Sequence, residues 1–421
     1  MGACPFVMLT AGKGEVMTVH VLLADKFPEE RIDELRGLEC EVTYDQSLKE
    51  DSLLEALRKI QPDILIVRST LVNGDMIRSD PNLNLIIRAG SGYNTIDVDT
   101  ASERSVYVSN CPGKNAVAVA ELAFGLILSI DRRIPDNVMQ LREGRWNKKE
   151  FSKTRGVYGR TLGVVGVGRI GSEVIARAKA FGMSVIAWSR SLTEDKARIL
   201  GIGYCVNPGE VAERADIISV HLALTAETRN MIGEEFFIKM RPGSYFINTS
   251  RAEIVDERAL LKAVDEKGLH VGLDVFTGEP EAKTGKINNS LAGHPLVYGT
   301  HHIGASTDQA QLAVADETVR IVREYLSTGH APNCVNLLAR TPARWMVSVH
   351  HRNRIGILAG VLDEIRDAGI NVEIMENLIF TGDEGACARI QLDGELSEEN
   401  LGRIKESSSD IFSVSQVELG R

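Results

Sequence analysis

The chain has 421 residues, 43% hydrophobic and 25% charged, with a formal net charge of −10. That length exceeds one ordinary core and predicts two or three domains, while the acidic balance argues against a nucleic-acid partner. Six dispersed cysteines, Cys4, Cys40, Cys111, Cys205, Cys334 and Cys387, form no C-x-x-C pair and read as reduced thiols of a cytoplasmic protein, with no metal site expected.

Residues 1–17 are expected to be a disordered extension, because Lys13 and Glu15 stand where a signal peptide stays apolar. Val19–Ala24 begins a strand pattern. Pro28–Leu35 reads as a helix, Glu41–Tyr44 as a strand and Asp51–Ile60 as a helix closed by Pro62. Asp63–Val67, Leu85–Arg88 and Val106–Ser109 continue the alternation, so the first unit is a parallel α/β sheet. Its strands end in Arg68-Ser69-Thr70, in Ala89-Gly-Ser-Gly-Tyr93 and in Asn110-Cys-Pro-Gly-Lys-Asn115. Ligands bind at such C-terminal strand ends. Ala116–Arg132 is a long apolar helix, and its apolar run Ala116–Ile130 contains Glu121 and is too short to cross a bilayer. An amphipathic helix follows over Pro135–Glu143.

A glycine turn comes next. The apolar run Leu162–Val167 meets the helical stretch Ile170–Phe181 through Gly166, Gly168 and Gly171, and a strand Ser184–Trp188 follows. In this strand–turn–helix setting the G-x-G-x-x-G spacing points to a dinucleotide, with its pyrophosphate on the helix start at Arg169 and Ile170. The strand after the turn ends at Ser189-Arg190, where no carboxylate is present to read a ribose 2′-hydroxyl. Both NAD and NADP are therefore open as cofactor. Ile217–Val220, Tyr245–Asn248 and Val271–Val275 extend a second parallel sheet. Ala305–Ser327 is a helix that could return to the first unit, and Gly329–Asn336 reads as a linker. From Arg344 the order becomes β-α-β-β-α-β, a ferredoxin-like split unit, with elements at Trp345–His350, Gly356–Ala368, Val372–Phe380, Ala386–Leu392, Glu398–Lys405 and Ile411–Glu418.

Three residues near strand ends of the second sheet could carry chemistry. Arg251 offers a fork for a carboxylate, His302 a group that can take or give a proton, and Glu279 a carboxylate to orient it. In order and spacing, with the glycine turn, these residues resemble the D-isomer-specific 2-hydroxyacid dehydrogenases, from about Val19 to Asn336. The resemblance implies a substrate-binding domain over 18–112 and 304–336 and a nucleotide-binding Rossmann domain over 113–303. It implies Arg251 as carboxylate anchor, His302 as acid/base, Glu279 as its partner, Asp274 near the nicotinamide, and His221 and Thr249 at the cofactor. His301 replaces a usual Pro, Ala252 a usual Gly and Ala223 a usual Pro.

The loops bearing Arg68, Ser69, Arg88 and Gly90 are similar to those of family members that oxidise D-3-phosphoglycerate, which implies a phosphate held by Arg68 and Arg88, with Asn115 close to the substrate. Residues 343–421 resemble an ACT domain, an amino-acid-sensing module. That likeness implies a serine effector at His351, Asn353 and Asn371, and a homodimer or homotetramer. An NADPH-dependent glyoxylate or hydroxypyruvate reductase and a non-enzymatic dinucleotide-sensing co-repressor are the alternatives.

Overall fold

Ile64-Leu-Ile-Val67 is apolar without alternation, and all four residues are buried. A strand buried on both faces belongs inside a parallel sheet covered by helices. The computed structural model, which describes residues 10–11, 15–16, 18–280 and 284–420, contains two such sheets and a third, antiparallel one. Within the expected disordered extension, Thr10–Ala11 (β1) pairs antiparallel with Glu15–Val16 (β2). The rest of that extension lies outside the described residues.

His20–Leu23 (β3), Glu41–Tyr44 (β4), Ile64–Val67 (β5), Leu85–Arg88 (β6) and Tyr107–Asn110 (β7) form a five-stranded parallel sheet ordered β4-β3-β5-β6-β7. Thr161–Val165 (β8), Ser184–Trp188 (β9), Gly203–Tyr204 (β10), Ile217–Val220 (β11), Tyr245–Asn248 (β12), His270–Leu273 (β13) and Val297–Gly299 (β14) form a seven-stranded parallel sheet ordered β10-β9-β8-β11-β12-β13-β14. The strand order reverses between β3 and β5 in one sheet and between β8 and β11 in the other. At such a switch point the flanking connections leave on opposite faces and open a crevice at the C-terminal strand ends. Strands β10 and β14 had no readable pattern, being only two and three residues long.

Helix Ala116–Arg132 packs Ala120, Phe124, Ile127 and Ile130 onto the seven-stranded sheet beside Leu162, Val164 and Ile247. Helix Asp308–Thr328 packs Ala315, Val319 and Val322 onto the five-stranded sheet beside Val21, Leu23 and Ile66. The chain therefore passes between the sheets twice, and both crossings lie at the strand ends that carry the candidate residues. Thr307 caps the second helix through Ala310 N–H, so it starts at Asp308 rather than at the expected Ala305. The expected linker is partly docked. Val335 N–H donates to Val108 O at 2.8 Å, and Asn336 Oδ1 accepts from Val108 N–H at 2.9 Å, satisfying groups on the edge strand β7.

A second unit begins at Leu337. Trp345–Arg352 (β15), Val372–Ile379 (β16), Gly385–Leu392 (β17) and Ile411–Glu418 (β18) form an antiparallel sheet ordered β16-β17-β15-β18. Helices Ile357–Asp367 and Glu398–Glu406 cover one face through Val361, Ile365 and Ile404, against Val347, Val349 and Ile390. This is the expected ferredoxin-like unit. Among the described residues no helix is long and apolar enough to cross a membrane.

Candidate active site

Strand β8 ends at the second switch point, and the glycines there have distinct geometric reasons. Gly166 lies at φ +103°, and a Cβ on it would fall 2.5 Å from His221 O. A Cβ on Gly171 would run into Gly166 O, whereas Gly168 faces open space. Helix Arg169–Ala180 starts at Gly168 with no side-chain cap, so its first amides are left for an anion. The Arg169 guanidinium turns away, onto Pro112 O, through the space that Gly113 leaves.

Two neighbouring polar atoms are buried without partners, His221 Nδ1 and Thr249 Oγ1. His221 pairs its Nε2 with Ser219 Oγ at 2.8 Å, and burial pushes its pKa down to about 4, so the ring is neutral at physiological pH. Orphaned buried polar groups are rare and call for a ligand or water. The free helix start, the clearance at Gly168 and these two atoms fit a dinucleotide. Gly166 N–H donates to Trp188 O at 2.8 Å, which sets the half-buried Ser189 and the exposed Arg190 beside the turn.

The candidate acid/base lies across the same strand ends. His302 Nδ1 is 2.7 Å from Glu279 Oε2, and Glu279 Oε1 accepts from Phe276 N–H at 2.8 Å. With Nδ1–H donating to the carboxylate, Nε2 is the nitrogen left to exchange a proton. The hydrogen bond to Glu279 raises the His302 pKa, over an opposing desolvation. On Glu279, burial pushes upward but the bonds from His302 and Phe276 outweigh it and leave the pKa lowered.

His302 has φ 51°, a left-handed conformation costly for a residue with a Cβ. Asp274, 1% exposed, holds the loop in that shape. Its Oδ1 accepts from Thr300 Oγ1 at 2.7 Å and Ile303 N–H at 2.8 Å, and its Oδ2 from Gly304 N–H at 2.8 Å. Asp274, expected near the nicotinamide, spends both oxygens on the histidine loop.

Three guanidiniums converge on the crevice between the sheets. Arg251 is half-buried after β12, and its Nη1 donates to Ser250 O at 2.7 Å. Gly92 leaves the space into which it points. Arg68 Nη1 donates to Gln311 Oε1 at 3.3 Å. The Arg88 pKa is pushed down to about 10, first by burial and then by the charges of Arg251 and Arg68, and its Nε is buried without a partner. Gly90 gives Arg88 its room. Asn115 Oδ1 accepts from Ser91 Oγ at 2.7 Å, tying the first crossing to the Gly90 loop.

Residues 124–304 match the family described as D-isomer specific 2-hydroxyacid dehydrogenase, NAD binding domain. A D-3-phosphoglycerate dehydrogenase of Methanocaldococcus jannaschii is 34% identical over 391 residues, spanning 92% of this chain and 70% of that protein. The chain belongs to the D-isomer specific 2-hydroxyacid dehydrogenases. It is also 41% identical to a hydroxypyruvate reductase of Thermotoga maritima over 283 residues, 67% of this chain and 89% of that one. In fold it is similar to an NAD+-bound 3-phosphoglycerate dehydrogenase of Entamoeba histolytica, with a TM-score of 0.63 and 26% identity over 76% of this chain and all of that one. As a member of this family it is a nicotinamide-dependent oxidoreductase.

Two bracing carboxylates of this dehydrogenase leave little trace in the sequence. Asp25, which follows β3, accepts from the Arg68–Thr70 loop. Glu257 accepts from Thr277 N–H and Asn289 Nδ2, each at 2.7 Å, and braces the loop that bears Glu279. In both cases the donors include backbone amides, which leave no side-chain pattern. One signal was available, an Asp closing an apolar strand, in Leu22-Leu-Ala-Asp25 and again in Val271-Gly-Leu-Asp274.

In the C-terminal unit the expected effector residues do not converge on an open site. His351 is 2% exposed, with Nδ1 2.8 Å from Arg352 O and Nε2 3.2 Å from Asn377 Oδ1. Asn353 Nδ2 donates to Asp383 O at 3.2 Å, and Asn371 Nδ2 to Glu373 Oε1 at 2.9 Å.

Proposed function

We propose that this dehydrogenase oxidises D-3-phosphoglycerate at C2 to 3-phosphohydroxypyruvate, the first step of serine synthesis. The observation that carries the substrate is the three-arginine crevice with an unpaired Arg88 Nε. A buried cation repelled by two others, with a donor unspent, suits a small molecule with two anionic ends better than a monoanion. The likeness to the Methanocaldococcus jannaschii phosphoglycerate dehydrogenase over most of the chain supports the same reading.

In this reading Arg251 holds the carboxylate and fixes its plane, while Arg68 and Arg88 hold the phosphate. Ser69, Gly90 and Asn115 line the substrate. The C2 hydroxyl gives its proton to His302 Nε2, and Glu279 stabilises the imidazolium that results. When bound, the nicotinamide ring of NAD or NADP supplies the hydride acceptor for C2. Arg169, Ile170, His221, Thr249 and Asp274 line the cofactor crevice, and Ser189 with Arg190 leaves both dinucleotides usable.

A glyoxylate or hydroxypyruvate reductase is the second reading, favoured by Ser189-Arg190 and by the Thermotoga maritima relative. Steady-state rates at the nicotinamide absorbance band, with phosphoglycerate, glycerate and glyoxylate and with both cofactors, separate the two. Phosphoglycerate is expected to give the highest kcat/KM, and a preference for glyoxylate overturns the proposal. We further infer a cytoplasmic homodimer or homotetramer whose C-terminal unit senses serine; support for this is the β-α-β-β-α-β fold and its ACT resemblance, and His351, Asn353 and Asn371 of a single copy do not form the effector site by themselves.

A further inference from the structure

Asp25 has no role in the chemistry above, yet it is one of the most fully used side chains in the crevice. It follows β3 at the switch point of the five-stranded sheet and is 8% exposed. Its Oδ2 accepts from the N–H groups of Arg68, Ser69 and Thr70 at 2.7, 3.0 and 3.0 Å, and its Oδ1 from Ser69 Oγ at 3.1 Å. Ala24 N–H donates to Ile66 O at 3.0 Å, so the carboxylate is tied to the strand whose loop it holds.

Three successive amides aimed at one point make a concave anion cradle. A resident carboxylate fills it here, which leaves the cradle itself closed to a ligand and fixes where the Arg68 side chain starts. Arg68 needs such fixing because the charge of the buried Arg88 opposes its own, so without a clamp the loop would relax away from it.

We propose that Asp25 is a positioning residue that holds the Arg68–Thr70 loop so that Arg68 faces the anionic end of the substrate. This rests on Arg68 being the phosphate anchor. A carboxylate close enough to act on Arg88 has a second effect to separate, a weakening of that cation's pull on an anion, and the two roles have opposite signs. Asp25→Asn keeps the shape and removes the charge. If Asp25 positions the loop, KM for phosphoglycerate rises about tenfold or more, the size expected for a lost charge-assisted hydrogen bond, while kcat and the KM for glycerate change by less than about threefold. If Asp25 only screens, KM for phosphoglycerate falls.

A residue acting through Arg68 must also be non-additive with it, so Asp25→Asn combined with Arg68→Ala should be no worse than Arg68→Ala alone. A lowered KM, or losses that add, overturns the proposal. Should Asp25→Asn fail to fold, hydrogen exchange on the unsubstituted protein decides: the amides of Arg68, Ser69 and Thr70 are expected to be protected like those of the sheet, and exchange at open-loop rates overturns the clamp. Failure of the unsubstituted protein to prefer phosphoglycerate over glycerate would instead sink the substrate reading and leave the exchange result standing.

Discussion

The Arg68 loop and the His302 loop are held by the same device in different sheets. Each follows one strand and is gripped by an aspartate that ends the neighbouring parallel strand: Asp25 after β3 grips the loop after β5, and Asp274 after β13 grips the loop after β14. Each carboxylate takes backbone amides and one hydroxyl. The loops differ in what is held. His302 sits in a left-handed backbone, and a second carboxylate, Glu279, reaches its ring. Arg68 has ordinary backbone and a single side-chain bond to Gln311. Proton transfer demands a fixed atom within hydrogen-bond reach, whereas attraction between charges falls off slowly with distance. Greater constraint is therefore expected where the proton moves.

Removing the proposed proton acceptor altogether gives the largest effect and sets the scale. His302→Ala is expected to cut kcat by roughly two to four orders of magnitude, the range that positioned acid/base catalysis supplies, with the dinucleotide Kd within about twofold. Unchanged kcat would move the role to the exposed His301 beside it. Asp274→Asn tests the clamp without touching the imidazole. Misplacing a reacting group by about 1 Å can cost roughly a hundredfold, so a fall of that order in kcat is expected. A change confined to KM would show that the two clamps are alike in function as well as in form. That variant also reads a contact with the nicotinamide, because loss of dinucleotide affinity measured by fluorescence titration would separate cofactor binding from loop positioning.

The sequence carried the parts of this comparison that depend on side-chain type, and missed those that depend on neighbouring strands. Gly166, Gly168 and Gly171 between an apolar run and a helix were enough for the dinucleotide turn, because each glycine answers a local steric demand. Arg251, Glu279 and His302 stand out as candidates by residue type near strand ends, and their order and spacing, through the family resemblance, suggest their roles. Asp25 leaves only the faint signal of an Asp closing an apolar strand, because the amides it holds lie more than 40 residues away and carry no side-chain pattern. The docking of Val335 and Asn336 on β7 is hidden for the same reason. His351 could have been placed better. It shares its side of β15 with Val347 and Val349 by simple alternation, and that side is the one the helices cover.

The smallest effect distinguishes the second carboxylate at the histidine loop from the clamp. Glu279 raises the His302 pKa, and oxidation needs the neutral ring, so kcat/KM for phosphoglycerate should be full at high pH and fall as pH drops through that raised pKa. Glu279→Gln keeps a hydrogen-bond acceptor but removes the charge, so the His302 pKa drops and the acid limb moves to lower pH. The reverse reaction needs the protonated ring, and its activity is lost as pH rises. In the same variant that loss should begin at lower pH as well. A fall of roughly tenfold in the plateau rate is expected, because the imidazolium loses its counter-charge while the loop that Asp274 holds stays in place. Shifts in opposite directions for the two reactions, or none in either, would take the titrating group away from His302.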